Sequence, residues 1–236
     1  CGRDWSSEVW SSDQELMDLV FWGVLVLCSI PFLAGAYSIN YNYVADGNQF
    51  TSPYYSTVED FNDATLAWTW TGRYELVNGD SSGKYSAPAG VDGTNKDVTD
   101  YVTVPHSGTE GGSGWVMVTG LPDSDYFGLW WGSMDTYNTL IFYNDGAATG
   151  ESFTGSDVTD GGIANGVQTG HVTNHYVNFL GLKTYDSFEM ASTSFAFEAD
   201  NIAVGNLSVP EPATMLLLGF GLLGVAGYGR RKLCKK

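Results

Sequence analysis

Short β-rich runs recur along residues 37–209, and turn-forming residues separate them. Each run alternates apolar and polar residues or is rich in β-branched and aromatic side chains, which is typical of antiparallel strands. No stretch of this region shows a sustained helical period of apolar residues. The pattern predicts an all-β sandwich. The predicted strands are Leu66–Tyr74, Tyr101–Val104, Trp115–Thr119, Tyr126–Trp131, Thr139–Tyr143, Tyr176–Leu182, Ser187–Met190, Ser194–Glu198 and Ile202–Leu207.

The connections between these runs fall into two classes. Asn78-Gly-Asp80 and Asn144-Asp-Gly146 supply residues that tolerate positive φ, as tight turns require. The Gly-, Ser- and Asp-rich stretches Asn78–Asp100 and Gly146–His175 are predicted to be long loops, which are usually functional or mobile. Many short strands joined in this way favour a jelly-roll-like antiparallel β-sandwich in particular.

Charge and cysteine content limit what the domain can bind and how it is held together. The chain has 27 acidic and 10 basic residues, a net charge of −17, which argues against nucleic acid and anionic lipid as partners. The three cysteines are Cys1, Cys28 and Cys234, all outside residues 37–209. The domain is therefore expected to be stabilised by its apolar core, or by a bound metal, and not by disulfides.

The residues after Val209 begin with a rigid element and continue into an apolar stretch. Pro210 and Pro212 flank Glu211, and each proline fixes φ and lacks an amide donor, so this segment is extended. Ala213–Tyr228 follows with sixteen uncharged residues, a helix about 24 Å long against a hydrocarbon core of roughly 30 Å. We predict a transmembrane helix that spans a thin or locally compressed bilayer.

A basic end completes the tail, with Arg230, Arg231 and Lys232 directly after the apolar stretch. The positive-inside bias keeps this end cytoplasmic and places the preceding residues outside. In the order Pro-Glu-Pro, apolar helix, basic end, the tail resembles the PEP-CTERM sorting signal of exosortase substrates. The resemblance implies that an exosortase cuts the chain near this motif and transfers it from the membrane to a surface acceptor.

The other terminus carries an export signal. Leu19–Phe32 is apolar, and the Ala-x-Ala pattern that ends at Ala36 predicts signal-peptide cleavage after that residue. The cationic segment that usually precedes such a stretch is missing, which favours Met17 as the true start. A lipoprotein signal at Cys28 is the alternative. The chain is thus predicted to divide into a signal region, 1–36, a β-sandwich, 37–209, and a sorting signal, 210–236.

Two segments resemble features of secreted jelly-roll domains of the carbohydrate-binding and exosortase-substrate type. One is Phe127–Phe142, and the other is Phe195–Val204, in which an Asp-Asn pair follows alternating aromatic residues as in the closing strand of such folds. The resemblance spans about Phe61 to Val204.

Calcium is the candidate cofactor, with a structural role. Calcium prefers several oxygen ligands, and acidic and amide side chains precede the first long strand and flank the last one. Pairing of the first and last strands of a jelly roll would bring the two groups together. The alternative is that they make ordinary Asx turns. The candidate ligands are Asp60, Asn62, Asp63, Asp200 and Asn201, with Glu59 beside them.

A glycan site is the second candidate. Aromatic rings stack on sugar faces, and acidic or amide groups bind the hydroxyls. Trp130 and Trp131 face opposite sides of a predicted strand, so one is expected in the core and the other exposed. Asp135, Tyr137 and Asn138 follow in the adjoining turn. The alternative is that these aromatic side chains only fill the core.

Catalytic signals are weak, and we expect no enzyme activity. No Ser-His-Asp motif, phosphate loop or nucleophile elbow is present. His171 and His175 have metal-ligand spacing for a helix, but the residues between them are poor helix formers, which argues against zinc. The sequence does not exclude the paired carboxylates of a glycoside hydrolase, because acidic residues are numerous.

These observations predict a protein that is anchored in the inner membrane before processing and then lies at the cell surface or in a biofilm matrix. Its β-sandwich is expected to be a structural or adhesive component. A carbohydrate-binding module for exopolysaccharide is the alternative, and a secreted hydrolase is the third hypothesis. Expected partners are the exosortase, the membrane before processing and exopolysaccharide.

Overall fold

The computed structural model describes residues 37–42, 52, 54, 57–63, 65–90, 95–207, 219 and 221. Contacts divide the chain into Cys1–Ala36 and Tyr37–Lys236, and every described residue belongs to the second unit. The predicted signal peptide lies outside the described residues, and so does the predicted transmembrane helix apart from Gly219 and Gly221. Within the described part of the chain, no helix is long and apolar enough to cross a membrane.

Between residues 37 and 207, the described residues form twelve strands, one short α-helix and one 3₁₀ turn. Strand lengths range from three to eleven residues, and the two helical elements are single turns. The strands are β1 Ser38–Asn42, β2 Thr57–Glu59, β3 Thr69–Gly72, β4 Glu75–Val77, β5 Tyr101–Val104, β6 Gly114–Thr119, β7 Ser124–Gly132, β8 Asn138–Asn144, β9 Ala147–Thr154, β10 His175–Tyr185, β11 Ser187–Ser192 and β12 Phe197–Gly205. The 3₁₀ turn is Glu110–Gly112, and α1 is Gly155–Val158.

Two antiparallel sheets make up the fold. The seven-stranded sheet has the order β1-β10-β7-β12-β5-β4, and β2 pairs with β12 as well. The five-stranded sheet has the order β3-β6-β11-β8-β9. Eight consecutive strands, β5 to β12, form the rows β5-β12-β7-β10 and β6-β11-β8-β9, with the chain passing between them as in a jelly roll. The predicted all-β antiparallel sandwich is confirmed.

An aromatic core lies between the sheets. Phe127 of β7 packs against Phe142 of β8 and Phe188 of β11, with ring centroids 5.1 and 4.8 Å apart in edge-to-face geometry. All three rings are fully buried. Burial of such a side chain contributes about 1.5–3 kcal/mol, so these contacts between the two sheets are a main source of stability in a domain without disulfides.

The other face of the seven-stranded sheet is also covered, in part by the described residues 79–90 and 95–97 of the segment 79–97 between β4 and β5. The Ser86 amide donates to the carboxylate of Glu198 on β12, and the Ala89 amide donates to Asn174 just before β10. An ion pair of 2.8 Å between Lys96 and Asp80 joins the two ends of this segment. Polar side chains on this face of β12 are therefore removed from water.

The predicted loop Gly146–His175 is partly wrong, because β9 and α1 lie in it. β9 forms an edge strand beside β8, and its Glu151 and Phe153 are buried while Ser152 between them is exposed. The tight turn predicted at Asn144–Gly146 joins the two strands, with Asp145 at φ 49° and Gly146 at φ 75°. The small residues at the start of β9 hid its alternation in the sequence.

The last two predicted runs form one strand. β12 continues through Asp200 and Asn201, where its register with β7 shifts. Asn201 has a φ of 49°, a left-handed conformation that Asn tolerates better than most residues. This bulge turns the strand without ending it, and it places both polar side chains away from the core.

Candidate functional site

Hydrogen bonds hold the chain in place where the sandwich ends, at the last described residues before the sorting tail. Beyond β12, the Asn206 side-chain amide donates to the carbonyl of Asp123, and the Leu207 amide donates to the carboxylate of Asp125. These bonds of 2.8 and 2.7 Å tie the chain to the end of the β6–β7 connection and to the start of β7. The predicted sorting residues lie outside the described part of the chain: Pro210, Glu211, Pro212, Arg230, Arg231 and Lys232.

A polar pocket of about 260 Å³ lies at the end of the sandwich where β7 ends and β12 begins. Four connections form its walls: the segment before β5, the β7–β8 turn, the loop before β10 and the β11–β12 turn. Aromatic rings, amides, hydroxyls and two carboxyl groups face it. The lining residues are Gly83, Lys84, Tyr85, Ser133, Asp135, Tyr137, Asn165, Gly166, Gln168, Ser194, Phe195, Ala196 and Glu198.

Two of the predicted glycan residues, Asp135 and Tyr137, line this pocket. The Asp135 amide donates a 2.8 Å hydrogen bond to Oδ1 of Asn138, and the Tyr137 hydroxyl donates to the carbonyl of Phe195 at 2.7 Å. Partial burial raises the pKa of Asp135, and a hydrogen bond with Tyr137 opposes the shift. Asn138 is fully buried and holds the turn together, so it supports the pocket without lining it.

Glu198 is the second acid of the pocket, and the sequence-based site did not include it. Its carboxyl accepts hydrogen bonds from the Ser133 hydroxyl at 2.8 Å and from the Ser86 amide at 3.0 Å. Burial raises the pKa of Glu198 to about 8, against the opposing effect of these two donors. The group is therefore mostly protonated at neutral pH. Its signal in the sequence is alternation, because Phe197 and Ala199 on either side of it face the core.

The tryptophan pair does not contribute an exposed stacking surface. Trp130 and Trp131 belong to different apolar clusters on the two sides of β7, as their adjacency predicts. Neither is exposed, however: Trp131 is fully buried and Trp130 retains 3% of its surface. The expectation that one of them reaches solvent is wrong, because the covering of the outer sheet face encloses Trp130 as well. Among the described tryptophans, Trp115 on β6 is the exposed one, at 48%.

The predicted calcium ligands before the first long strand mostly organise their own loop. The Asn62 amide donates to the carboxylate of Asp60, and the Thr65 amide donates to that of Asp63. Asn62 and Asp63 are exposed. Glu59 is buried and accepts hydrogen bonds from two backbone amides of the same loop. The Asx-turn alternative therefore describes Asp60 and Asp63.

A buried pair of carboxylates lies on the outer face of β12. Oδ1 of Asp200 and Oδ2 of Asp97 are buried, and no other group among the described residues donates a hydrogen bond to them. Burial raises the pKa of Asp200 well above its usual value, and the charge of Asp97, a side-chain hydrogen bond between the two acids and the charge of Asp60 add to the shift. The structure thus brings Asp60 near Asp200, as strand pairing predicted, and Asn201 donates to the other Asp200 oxygen at 3.0 Å. Asp97 was not among the ligands predicted from the sequence, because the loop that carries it approaches β12 only in the folded chain.

The histidine pair is not arranged as a metal site. The ring nitrogens of His175 lie 2.7 and 2.8 Å from the carbonyl oxygens of His171 and Val158. Both nitrogens therefore face backbone acceptors. Within the described residues, no set of three or more His, Cys, Asp and Glu side chains is placed to hold a metal ion.

Comparison with known proteins identifies the tail. The PEP-CTERM protein-sorting motif matches residues 208–232, which confirms the predicted sorting signal. This motif implies export, membrane anchoring before processing and an exosortase as processing partner. No curated protein matches the chain in sequence.

One similar solved structure is the catalytic unit of the thermostable GH87 α-1,3-glucanase from Streptomyces thermodiastaticus strain HF3-3. It has 16% identity and a TM-score of 0.32 over 61% of this chain. The match covers 25% of that chain, so this protein spans about a quarter of its length. A likeness at this level carries no argument about function.

Proposed function

We propose that this protein is an exosortase substrate that ends at the cell surface or in the extracellular matrix, where its β-sandwich has a non-catalytic structural or adhesive role. The observation that carries the proposal is the sorting motif at residues 208–232, which begins directly after the last described residue of the sandwich, Leu207. The hydrogen bonds of Asn206 and Leu207 to the end of the β6–β7 connection and to the start of β7 support it, because they separate the folded domain from the segment to be processed.

The distribution of side chains favours a structural or adhesive role over catalysis. The large aromatic residues pack into the core, and the net charge of −17 keeps a surface protein soluble. A hydrolase would release new reducing ends from the host exopolysaccharide, and such release by the purified protein would contradict this part of the proposal.

Intact-mass measurement tests the processing step. Protein recovered from a host with a functional exosortase should lack the tail and leave the membrane fraction. The same chain from an exosortase-deficient host should keep its full apolar end and remain in the membrane. A Glu211→Ala variant is the matched control, since it alters the sorting motif and leaves the sandwich unchanged. A complete tail on wild-type protein from the exosortase-containing host would contradict the proposal.

Carbohydrate binding is the second candidate function. The specific observation in its favour is the polar pocket that combines Asp135 and Tyr137 with amide and hydroxyl groups. An adhesive protein with such a pocket would retain exopolysaccharide at the cell surface. Retention of polysaccharide by cells that express the wild-type chain, compared with cells that lack it, tests this function.

We also propose that the Asp97–Asp200 pair is part of a structural calcium site. Two buried carboxylate oxygens to which no other described group donates a hydrogen bond fit a hard cation that takes oxygen ligands. The nearby negative charge of Asp60 favours the binding of a proton or a cation at this pair. Calcium binds backbone carbonyl oxygens and water as well as carboxylates. Two acidic side chains can therefore supply part of its coordination, with the other ligands coming from these groups.

Thermal unfolding with added calcium, against unfolding with chelator, tests this site. Wild-type protein should melt several degrees higher in calcium, because a ligand that binds only the folded state stabilises it. Asp200→Asn should abolish the calcium-dependent difference, whatever its own melting temperature. Asp63→Asn is the matched control in the exposed turn and should preserve the difference. Equal melting temperatures of the wild type in calcium and chelator would contradict the proposal.

A further inference from the structure

We propose that the pocket at the β7–β8 end of the sandwich binds one neutral sugar residue at the end of a polysaccharide chain. This inference rests on the carbohydrate-binding function proposed above and adds the site and the mode of recognition. The residues that carry it are Asp135, Tyr137, Gln168 and Glu198, which come from two connections and the start of β12 and face one cavity.

The size of the pocket sets the size of the ligand. A volume of about 260 Å³ lies below the roughly 300–1,000 Å³ of pockets that take drug-sized ligands. It accommodates one ring with its substituents and not a run of several residues. The four connections form the walls of the pocket, which remains partly open to solvent. Because its volume takes a single ring, we expect the terminal residue of a polysaccharide to enter it.

The chemistry of the walls matches a polyhydroxylated ring. Sugar hydroxyls both donate and accept hydrogen bonds, and the pocket offers amides on Asn165 and Gln168 that do the same. Tyr85, Tyr137 and Phe195 add aromatic carbon, against which the C–H face of a sugar packs. An apolar ligand would leave these amides unpaired, which costs free energy.

The charge of the pocket favours a neutral ligand. Glu198 is mostly protonated at neutral pH, as its raised pKa of about 8 requires, so Asp135 is the principal negative charge. Lys84 supplies a positive charge at the rim, where its ammonium lies 4.0 Å from the centre of the Phe195 ring. With one charge of each sign, the pocket does not select strongly for a cation or an anion.

Asp135 is fixed in place before any ligand arrives. Its backbone is held by Asn138 and bridges to Asn165, and its carboxylate lies against Gly166. Gly166 has a φ of 65°, and a Cβ at this position would collide with the Asp135 carboxylate. The missing side chain thus makes room for the carboxylate at the pocket wall. A fixed acceptor gives orientation to a ligand hydroxyl at little entropic cost.

Binding of neutral oligosaccharides to the purified full-length protein tests the inference. The probes are linear neutral oligosaccharides and cyclic ones of the same linkage, measured by calorimetry after a glycan array selects the linkage. Asp135→Ala should weaken binding of linear probes at least about tenfold, because a charge-assisted hydrogen bond is lost. Gln168→Ala, a change in the loop before β10 with no role in the sheets, should weaken binding in the same direction. Cyclic probes, which have no chain end, should not bind.

The controls separate the inference from the function on which it rests. Trp115→Ala removes an exposed aromatic side chain from the five-stranded sheet and should bind like wild type. Loss of binding in Trp115→Ala, with full binding in both pocket variants, would overturn the pocket and leave carbohydrate binding intact. Equal binding of linear and cyclic probes would overturn recognition of the chain end. No binding of any glycan by the wild type would overturn carbohydrate binding and the pocket together.

Discussion

Trp131 stacks on Phe197 with ring centroids 4.2 Å apart and an angle of 12° between the planes. The two rings lie on neighbouring strands, β7 and β12, and both are fully buried. β12 carries the pocket acid Glu198 on its opposite face, next to Phe197. The stacked pair therefore holds β12, the strand that carries this pocket acid, in place from the core side.

Replacement of Trp131 by Ala should destabilise the fold strongly. Loss of a buried ring of this size leaves a cavity and costs about 3–5 kcal/mol in the free energy of unfolding. Chemical denaturation measures this change directly. Trp115→Ala is the matched control, because that side chain is 48% exposed, and it should change stability by less than about 0.5 kcal/mol. Similar losses in the two variants would contradict the assignment of Trp131 to the core.

Stability should fall as pH rises towards 8, because of Glu198. The pKa of this carboxyl is 4.5 in its ordinary state and about 8 in the folded protein, so the folded state holds a proton that the unfolded state has lost. Stability from this group is complete below about pH 4.5 and is lost as pH rises to about 8, with a slope of at most about 1.4 kcal/mol per pH unit. In calcium-free buffer, the raised pKa of Asp200 acts in the same direction.

Glu198→Gln tests this pH dependence, since it resembles the protonated acid in shape and charge. Denaturation between pH 5 and 8.5, a range chosen to cover the shift of about 3–4 units, should give a shallower slope for the variant than for the wild type. Parallel slopes in the two proteins would show that Glu198 ionises alike in the folded and unfolded states.

Gly128→Ala should disrupt the polar contacts on the outer face of the seven-stranded sheet. A Cβ at this position would lie 2.6 Å from the Tyr176 hydroxyl and would collide with that of Tyr126. These hydroxyls donate to the carbonyl of Asn201 and the side chain of Asn178, so displacement of either ring leaves a buried polar group unpaired. We expect a loss of about 2–4 kcal/mol, from overpacking and lost hydrogen bonds together.

Gly120→Ala provides the comparison for that prediction. Gly120 has a φ of 85°, and nothing lies within 4 Å of the position where its Cβ would be. The substitution therefore introduces backbone strain alone, with a cost of about 1–2 kcal/mol. Urea unfolding should rank Gly128→Ala as the less stable variant, and the reverse order would argue against close packing of the tyrosines.

The sequence predicted most of the strands because core positions alternate with polar ones. It predicted two runs instead of one at β12, because Asp200 and Asn201 interrupt the apolar pattern. In the fold these residues form a bulge, and pairing with β7 continues beyond it. The strands β1 and β2 were not predicted because they are short, with five and three residues. β1 does alternate, and its Ile39 and Tyr41 pack against the core.

The candidate sites were predictable to the extent that their residues are close in sequence. Asp135 and Tyr137 share a turn, and the sequence placed them together in a glycan site. Glu198 joins them because the start of β12 lies beside the β7–β8 turn in space, which no local pattern encodes. Asp97 meets Asp200 for a similar reason, because the segment 79–97 returns across the sheet.

Asp80 is expected to hold that segment closed. Its carboxylate accepts hydrogen bonds from the Ala87 amide at 2.9 Å and the Ser86 hydroxyl at 3.2 Å, and it pairs with Lys96 at 2.8 Å. Asp80→Ala removes these contacts together, so local opening of the segment should become more frequent. Lys84 and Lys96 are the trypsin sites inside it, and cleavage at both should accelerate while the core stays folded.

The same variant should change the titration of Glu198, because the Ser86 amide of this segment covers that carboxyl. Greater access of water to Glu198 lowers the cost of its charge, so the fall of stability towards pH 8 should become shallower in Asp80→Ala. Asp63→Ala is the control, since Asp63 caps an exposed turn outside the segment. Equal rates of trypsin cleavage in Asp80→Ala, Asp63→Ala and the wild type would contradict the prediction. They would show that the Asp80 contacts do not hold the segment 79–97 against the sheet.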